Sequence, residues 1–497
     1  MLPRRLAPWV MVLAGCATGP RPAPAPAPTP VKTSTVAPVP TATVTAAQPV
    51  APRFEASPEA KAKAIELLEQ GRALQKERGE GGAKEAIAIY QSALESDPNL
   101  AAAYWEIGWS AQLLTQWDQV IEAWDHVRAL DPDHPELGKA YALAVLQRNE
   151  ARALAGLPDP GLLPPPDEKP AAGPSIRLRA VGDVQMGRAW PAERAELPPD
   201  DAADLFMHVT AALSDADLTF GNLETALADD GDSSKCGPKS TKCFAFRVPT
   251  SFAIALKKAG FDVMSIANNH SGDFGIEGRA STVAALDKQG IKHAGLVGDI
   301  ASMTVNGVTV GLVGFSTGGG VYRVVDLDIA RRLVALVDQT HDIVIVSFHG
   351  GAEGTAAAHV PKKTELFYGE NRGNVYEFAH TVIDAGADLV LGHGPHLLRA
   401  MEVYKGRLAV YSMGNFSTWE TFSLVPPLNT TAIMDVTLAP NGVLLALKAI
   451  PVIIEKPGRP RLDPDNLAIP ILRTLSQEDM GSPLIDESGQ FTRPSKP

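Results

Sequence analysis

Six short apolar runs of this 497-residue chain end in acidic, amide or imidazole side chains. Apolar runs of this length are predicted to be buried β-strands. The groups that end them are Gly182-Asp183, Asn222-Leu223-Glu224, Asn268-Asn269-His270, His349-Gly350-Gly351, His393-Gly394-Pro395-His396 and Ser412-Met413-Gly414-Asn415. Because ligands of open α/β sheets bind outside the carboxyl ends of the strands, six such groups can converge on one site. Oxygen and imidazole donors without cysteine suit Zn, Mn or Fe, and a bridging carboxylate would allow two ions.

Helical stretches alternate with strand-like runs after residue 175, which predicts an α/β architecture. We expect helices at 203–213, 251–259, 277–289 and 374–385. Asn306-Gly307 and Asn441-Gly442 lie between β-rich runs, where they favour hairpin turns. The sheets should therefore be mixed rather than all parallel.

Taken in order, the first five polar groups resemble the motifs of the CapA family, the capsule or poly-γ-glutamate biosynthesis proteins. The same order resembles the calcineurin-like metallophosphoesterases, to which that family is related. The resemblance covers residues 175–455, more than half of the chain. It implies a sandwich of two mixed sheets flanked by helices, with a metal-dependent hydrolase-type site.

The resemblance also implies which residues would bind metal. Asp183 would bridge two ions, with Glu224 as the second bridge and Asn222 as its substitute. The remaining ligands would be Asn269, His349 and His393 at one ion and His396 at the other.

One departure from the phosphoesterase pattern affects the number of ions. Where those enzymes read Asp-x-His, this chain reads Asp183-Val184-Gln185, so the ion bound by His396 loses an imidazole. Gln185 could donate a carbonyl oxygen instead, but the resulting ion should be weaker, labile or absent. A site with one ion and an inert polar pocket without metal both remain open.

Other residues near the motifs are candidates for chemistry or support. His270 matches the histidine that protonates a leaving oxygen in metallophosphoesterases. Asn415 could contact substrate or metal, or form a turn, and Arg188 is either an anion contact or a surface arginine. Asp273 and Glu353 could orient ligand imidazoles, or they could be solvated loop carboxylates.

The chain begins with features of an exported lipoprotein. Arg4 and Arg5 precede a short apolar run that ends in Leu13-Ala14-Gly15-Cys16. This pattern predicts a secretion signal over residues 1–16 that is too short to span a bilayer. Leu-Ala-Gly-Cys resembles the bacterial lipobox, which implies that Cys16 is acylated and anchors the chain to a membrane, the outer membrane in a Gram-negative cell. The alternatives are an ordinary signal peptide and a short buried helix.

Residues 17–56 are rich in Pro and Ala and predict a disordered linker. Residues 57–155 predict a small all-helical domain that resembles tetratricopeptide repeats. Four positions recur at the tetratricopeptide period of about 34 residues, namely Ala86, Tyr90, Ala93 and Pro98, which return as Val120, Trp124, Val127 and Pro132. Two repeats and a capping helix are few for a stable stack, so we expect this domain to pack against something else, and we expect it to dock a protein partner.

A second Pro-rich linker is predicted at 156–174, and residues 456–497 predict a C-terminal extension with a short helix. The net charge of −12 and the pI near 5.5 argue against a surface that binds nucleic acid or a long polyglutamate chain, outside a local patch. Once Cys16 is acylated, Cys236 and Cys243 remain as a pair. In an oxidising envelope they are predicted to form a disulfide, with free thiols as the alternative.

Three functions stay open. A CapA-like envelope lipoprotein would help make, release or retain an extracellular polymer such as poly-γ-glutamate. An exported metallophosphoesterase would act on phosphate esters. A non-catalytic assembly protein would recruit a partner through its helical repeats and keep a vestigial metal pocket. Metal content and turnover separate the third function from the other two.

Overall fold

A computed structural model describes residues 56–158, 173–233, 235–236 and 243–492. The predicted signal segment with Cys16, nearly all of the first linker and most of the second lie outside the described residues. None of the described helices is long and apolar enough to cross a membrane.

The N-terminal region is helical, as predicted. Its helices are α1 (Pro58–Arg78), α2 (Ala83–Ser96), α3 (Ala101–Leu113), α4 (Trp117–Leu130) and α5 (Leu137–Ala155). Ser57 caps α1 by accepting a hydrogen bond from the Ala60 backbone N–H at 3.2 Å, and Pro58 suits the first helical position. Tyr90 and Trp124 are fully buried at equivalent positions of α2 and α4. A Cβ at Gly108 would lie 1.9 Å from the Trp124 Nε1, so only glycine lets α3 approach α4 this closely.

The C-terminal end of helix α5 packs against the α/β domain. Leu157, just after α5, is buried in an apolar cluster with Val334 and Phe378, and Leu154 packs on the same cluster. The Arg332 guanidinium donates hydrogen bonds to the backbone carbonyls of Leu157 and Pro158. The helical region therefore shares part of its core with the domain that follows it.

The α/β domain contains the remaining helices and all of the described strands. Its helices are α6 (Thr210–Ser214), α7 (Ala253–Ala259), α8 (Gly275–Lys288), α9 (Leu327–Asp338), α10 (Val375–Asp384) and α11 (Ala468–Met480). Its first strands are β1 (Ile176–Gln185), β2 (Leu218–Leu223), β3 (Ala226–Leu227), β4 (Arg247–Val248), β5 (Val263–Ser265), β6 (Lys292–Ala294), β7 (Ala301–Val305), β8 (Val308–Ser316), β9 (Tyr322–Arg323) and β10 (Ile343–His349). The later strands are β11 (Glu365–Phe367), β12 (Glu370–Gly373), β13 (Leu389–His393), β14 (Met401–Tyr404), β15 (Arg407–Val410), β16 (Asn415–Thr418), β17 (Thr430–Leu438), β18 (Leu444–Glu455) and β19 (Arg459–Leu462).

Two mixed sheets form the centre of this domain. The eight-stranded sheet has the order β19-β18-β17-β1-β2-β5-β6, with β16 also paired to β1. The seven-stranded sheet has the order β14-β15-β13-β10-β8-β7, with β9 paired to β8. β1, β2, β5 and β6 run parallel, whereas β17 to β19 form an antiparallel meander. The predicted fold class is confirmed: two mixed sheets flanked by helices follow an N-terminal helical region.

The two sheets pack on each other through alternate residues of their strands. On β10, Ile345 faces the core shared by both sheets, while Val344 and Val346 face α9 and α10 on the outer side. Helices α6, α7 and α8 cover the outer face of the other sheet. Since both faces of each central strand are buried, the apolar runs are nearly continuous and the polar side chains fall at the strand ends.

The predicted hairpin turns are present at both Asn-Gly pairs. Asn306 and Gly307 have φ values of 52° and 83° between β7 and β8, and Gly442 has a φ of 74° between β17 and β18. The C-terminal segment is part of the fold, because β19 is an edge strand and α11 contributes Ile469 and Leu472 to the central core.

Candidate metal centre

The strand register brings the predicted polar groups together. Asp183 on β1 is paired with Asn222 of β2 on one side and with Asn415 of β16 on the other. In the second sheet, His349 at the end of β10 is paired with His393 at the end of β13. Groups that are far apart in sequence thus meet where parallel strands end, as the sequence predicts.

Two glycines make this convergence possible. A Cβ at Gly182 would lie 1.9 Å from the Gly414 carbonyl oxygen, and a Cβ at Gly392 would lie 2.4 Å from the Tyr411 carbonyl oxygen. Any side chain at either position would push neighbouring strands apart. Glycine is therefore required directly before Asp183 and before His393.

Asp183 is fully buried and is the centre of the hydrogen-bond network. Its Oδ1 accepts from Asn222 Nδ2 at 2.8 Å and from His393 Nδ1 at 3.0 Å, and its Oδ2 accepts from His396 Nδ1 at 3.1 Å. Burial by itself would raise the pKa of Asp183, but the hydrogen bonds from His393 and His396 outweigh it and hold the pKa well below its ordinary value. Asp183 is therefore a carboxylate.

Glu224 is a second buried carboxyl group, and it has no such support. Within the described part of the chain, neither of its oxygens has a hydrogen-bond partner. The nearest imidazole nitrogens are His349 Nε2 at 3.6 Å and His396 Nδ1 at 3.8 Å. Burial raises the pKa of Glu224 well above its ordinary value, with the charges of Asp183 and Glu353 adding to the effect.

The imidazoles around these carboxyl groups also have unused atoms. His349 Nε2 and His393 Nε2 are buried without a hydrogen-bond partner among the described residues. Burial holds the pKa of His349 well below its ordinary value, so this imidazole is neutral and can donate a lone pair. Each unsatisfied buried polar atom costs about 1–3 kcal/mol, and a bound cation would remove that cost for several atoms together.

Asp183, Glu224 and His396 form a compact group, with one ligand atom from each residue within 4.8 Å of the other two. Burial would lower the pKa of His396, but Glu224, Asp183 and Glu353 outweigh it and raise the pKa to about 10. The backbone of His396 is left-handed with a φ of 63°, a conformation that costs a non-glycine residue about 1–3 kcal/mol. Asn415 secures this conformation, because its Nδ2 donates to the His396 carbonyl at 3.2 Å and its Oδ1 lies 3.1 Å from His396 Nδ1. This buried acid and imidazole group fits a divalent ion.

The adjacent asparagines of the Asn268-Asn269 motif have different surroundings. Asn268, which is not among the predicted site residues, donates from Nδ2 to Asn222 Oδ1 at 3.2 Å and to the Leu223 carbonyl at 2.8 Å. Asn222 consequently turns its NH₂ group toward Asp183 and its oxygen toward Asn268. The Oδ1 of Asn269 is buried without a hydrogen-bond partner among the described residues, which leaves its predicted role as a ligand open.

Gln185 and Arg188 form local hydrogen bonds rather than joining this cluster. Gln185 Oε1 accepts from the Gly187 backbone N–H at 3.2 Å and from Thr421 Oγ1 at 2.5 Å, and its Nε2 donates to the Gly187 carbonyl. The Arg188 guanidinium donates to Glu196 Oε2 at 2.6 Å and to the Arg194 carbonyl at 3.2 Å.

His270 lies at the edge of the cluster in its own hydrogen-bonded pair. Its Nδ1 donates to Asp273 Oδ2 at 2.7 Å, since a carboxylate can only accept. Phe246 packs on the His270 ring with centroids 4.5 Å apart, and Phe422 packs on both Phe246 and His396. An aromatic wall therefore connects His270 with His396. Asp273 is fully buried and accepts from His270, so it is not a solvated loop carboxylate, and the imidazole that it orients is that of the predicted general acid rather than of a predicted ligand.

Arg372 on β12 is a functional candidate that is absent from the residues predicted by sequence. It is almost completely buried, and its Nη2 lies 3.0 Å from Glu353 Oε1, whose other oxygen is 3.9 Å from His396 Nε2. Its Nε donates to the Gly351 carbonyl at 2.9 Å. No motif around Arg372 signals this role, because β12 belongs to a separate two-stranded ribbon that only the tertiary fold brings to the site.

Cys236 and Cys243 form a disulfide with a Cα–Cα distance of 5.7 Å. Cys236 is buried beside Trp190 and Phe274, so the bridge links Cys243 to a buried position of the domain that carries the cluster.

Residues 177–418 match the family described as bacterial capsule synthesis protein. All of the ligand candidates from Asp183 to His396, and Asn415, lie within this match. This α/β domain belongs to the CapA family.

Three relatives illustrate the likeness. The capsule biosynthesis protein CapA of Bacillus anthracis is 27% identical over 308 residues, covering 58% of this chain and 69% of the relative.

The PGA biosynthesis protein CapA of Bacillus subtilis (strain 168) is also 27% identical, over 253 residues that cover 48% of this chain and 61% of the relative. A probable polyglutamine synthesis accessory protein of Mycobacterium tuberculosis is 33% identical over 227 residues, covering 40% of this chain and 55% of the relative. The matched regions span 69%, 61% and 55% of these three relatives, so the chain covers only part of each.

Among solved structures, a purple acid phosphatase from yellow lupin seeds aligns with 57% of this chain and 52% of its own, with 10% identity and a TM-score of 0.30. A TM-score this low does not establish a common fold. The two-sheet architecture rests on the strand pairing of this chain itself.

Proposed function

We propose that this chain is an accessory protein of capsule or poly-γ-glutamate formation, anchored to the envelope through Cys16, and that its CapA domain is a metal-dependent hydrolase or transferase. The observation that carries the proposal is the set of buried ligand atoms without hydrogen-bond partners in the described structure, on Glu224, His349 and His393, around ionised Asp183. The family match and the names of the relatives support the polymer as the object of this chemistry.

Mn, Zn or Fe bound here would supply Lewis acidity. Asp183 and Glu224 would hold the ion through carboxylate oxygens, and His349, His393 and His396 would hold it through imidazole nitrogens. We infer that one tightly bound ion is favoured over two, because the Gln185 oxygen is already used by Gly187 and Thr421. Position 185 therefore offers no ligand for a second ion unless these bonds break.

His270 is the proposed general acid. Its Nδ1–H is donated to Asp273, which fixes the ring and leaves Nε2 to take up a proton from water and then give it to a leaving atom. Burial lowers the pKa of His270, partly opposed by Asp273 and aided by the charges of Lys235 and His396. The wall of Phe246 and Phe422 would limit water between His270 and His396.

The charge of the chain restricts how a polyanionic polymer would bind. A net charge of −12 repels a long polyglutamate, so the polymer would reach the site only through a local region. Arg372 is a buried cation close to the cluster, and its charge opposes the rise in the pKa of Glu224. We propose that chain ends or single linkages, rather than long stretches of polymer, are presented to the metal centre.

Metal analysis combined with a substrate screen tests this proposal. The chain is purified without chelator, its metal content is measured by mass spectrometry, and turnover is assayed on γ-glutamyl peptides and on phosphate esters. We expect a retained ion and turnover of γ-glutamyl substrates, both lost in Asp183→Ala. Turnover of phosphate esters alone would favour the exported phosphoesterase. A chain that retains no Mn, Zn or Fe after loading and desalting would support the non-catalytic assembly protein.

A further inference from the structure

Lys235 lies next to the proposed general acid, His270, on the Nδ1 side of its ring. Lys235 Nζ is 3.1 Å from Asp273 Oδ1 and 3.5 Å from His270 Nδ1, and it donates to the Asn269 carbonyl at 3.3 Å. Lys235 belongs to none of the sequence motifs. One ammonium group therefore touches three residues of the turn that follows β5.

Lys235 is held in this place by its neighbours. Cys236 follows it directly in the chain and is joined to Cys243 by the disulfide. The backbone N–H groups of Lys235 and Cys236 donate to Ser233 Oγ at 3.2 and 2.9 Å, and that hydroxyl donates to the Asp273 carbonyl at 2.9 Å. Ser233 and Lys235 thus each contact the same turn.

The direction of approach defines what Lys235 can do. It lies on the Nδ1 side of the His270 ring, opposite the Nε2 that would face a leaving atom, so it does not reach the reacting atoms. Asp273 is fully buried, whereas the Lys235 side chain is 37% exposed. A buried carboxylate requires a nearby opposite charge, and Lys235 supplies one to Asp273. The lysine thereby stabilises the ionised Asp273 that orients His270.

We propose that Lys235 is a positioning residue for the His270–Asp273 pair, and that the Cys236–Cys243 disulfide keeps it in position. The inference rests on the proposed function, because only there does His270 act as a general acid. A dithiol would reduce the bridge to two thiols, giving up two electrons and two protons and becoming a disulfide itself. Reduction should therefore weaken the site without removing the metal, and the chain should become fully active only in an oxidising compartment.

The test combines kinetics with the chemical accessibility of His270. Lys235→Met removes the charge and keeps the length of the side chain, Lys235→Arg keeps the charge, and wild type treated with dithiothreitol tests the bridge. Lys257→Met is the matched control, since Lys257 is 43% exposed and pairs with Asp262 at 3.3 Å at the opposite end of β5. Metal content, kcat and KM are measured, together with the rate at which diethyl pyrocarbonate modifies His270, followed by peptide mass spectrometry.

We expect Lys235→Met to lower kcat by about 10-fold to 100-fold, the usual effect of losing an outer partner of a site imidazole. KM and metal content should stay near wild type, Lys235→Arg should recover most of the rate, and His270 modification should be faster in Lys235→Met and after reduction. Unchanged modification rates in both would overturn the inference. If wild type turns over no substrate, the proposed function fails, while the modification rates still decide the role of Lys235. If Lys235→Met does not fold, the reduced wild type decides it.

Discussion

Asp273 and Glu224 are two fully buried carboxyl groups near imidazoles, but only Asp273 has hydrogen-bond partners among the described residues. Asp273 accepts from His270 and from the Phe246 backbone N–H, and it has Lys235 as a counter-charge. Glu224 is equally buried, yet neither of its oxygens is hydrogen-bonded among the described residues, and the same holds for His349 Nε2, which lies 3.6 Å from it. The contrast indicates that the first pair is complete as a proton-handling group, whereas the second requires a cation.

The largest expected effect comes from removing Asp183, the carboxylate at the centre of the candidate metal cluster. Asp183→Ala should abolish metal binding and turnover, because it removes charge and also the acceptor that orients His393 and His396. Metal analysis after desalting measures this loss. Asp435→Ala is a useful control, since Asp435 pairs with arginines at the far end of β1 and should keep its metal. Full metal content in Asp183→Ala would contradict the account.

His270→Ala should disrupt the His270–Asp273 pair and leave the metal cluster intact. Turnover should fall by about 10²-fold to 10⁴-fold, the usual contribution of positioned proton transfer, while the metal is retained. The matched control is His293→Ala, because His293 donates to Asp299 at 2.8 Å away from the cluster. Equal losses of rate in both variants would show that His270 is structural rather than chemical.

Glu224→Gln tests how much stability the chain loses by burying the Glu224 carboxyl group without a hydrogen-bond partner. Burial raises the pKa of Glu224, so the folded metal-free chain keeps a proton that the unfolded chain releases above its ordinary pKa. The metal-free wild type should therefore lose stability as the pH rises above the ordinary pKa of a glutamate side chain, and Glu224→Gln should avoid about 1–3 kcal/mol of that loss. Urea unfolding in the presence of a chelator measures it. Parallel pH curves for the two proteins would show that Glu224 is already satisfied.

The smallest expected effect concerns the second ion. Gln185→His would restore an imidazole at the predicted position but must give up the bonds to Gly187 and Thr421. We expect a second, weakly held equivalent of metal in equilibrium dialysis and a rise in phosphate-ester turnover. Gln185→Ala breaks the same bonds without adding a ligand and serves as the control. Two tight ions in the wild type would contradict the inference of a single strong site.

The strand-end residues of the site could be predicted from sequence because their positions follow from local rules. A buried parallel strand leaves its polar residues at its carboxyl end, so the sequence alone is enough to group Asp183, His349 and His393. The choice between Asn268 and Asn269 could not be made in this way, since a turn decides which of two neighbouring side chains faces Asn222. The orientation of Gln185 depends on Thr421, which lies 236 residues away in the chain.

Long-range packing also explains which features have no signal in the sequence. Arg372 reaches the cluster from a separate ribbon, and Lys235 reaches His270 from the position just before the disulfide-bonded Cys236. The helix expected at 203–213 is helical only from Thr210, because Asp200, Asp201 and Ala202 adopt positive φ values and turns follow them. Helix α9 has no counterpart among the predicted helices, although Leu333, Val334 and Val337 form its buried face.

Anomalous X-ray diffraction at the absorption edge of the bound metal tests the central claim most directly. Crystals of the chain purified without chelator, or loaded with Mn, Zn or Fe, should show a peak among Asp183, Glu224 and His396. No peak should appear beside the complete pair of His270 and Asp273. Metal-loaded crystals without a peak at the first cluster would contradict the account, since the bare atoms of Glu224, His349 and His393 would then need another explanation.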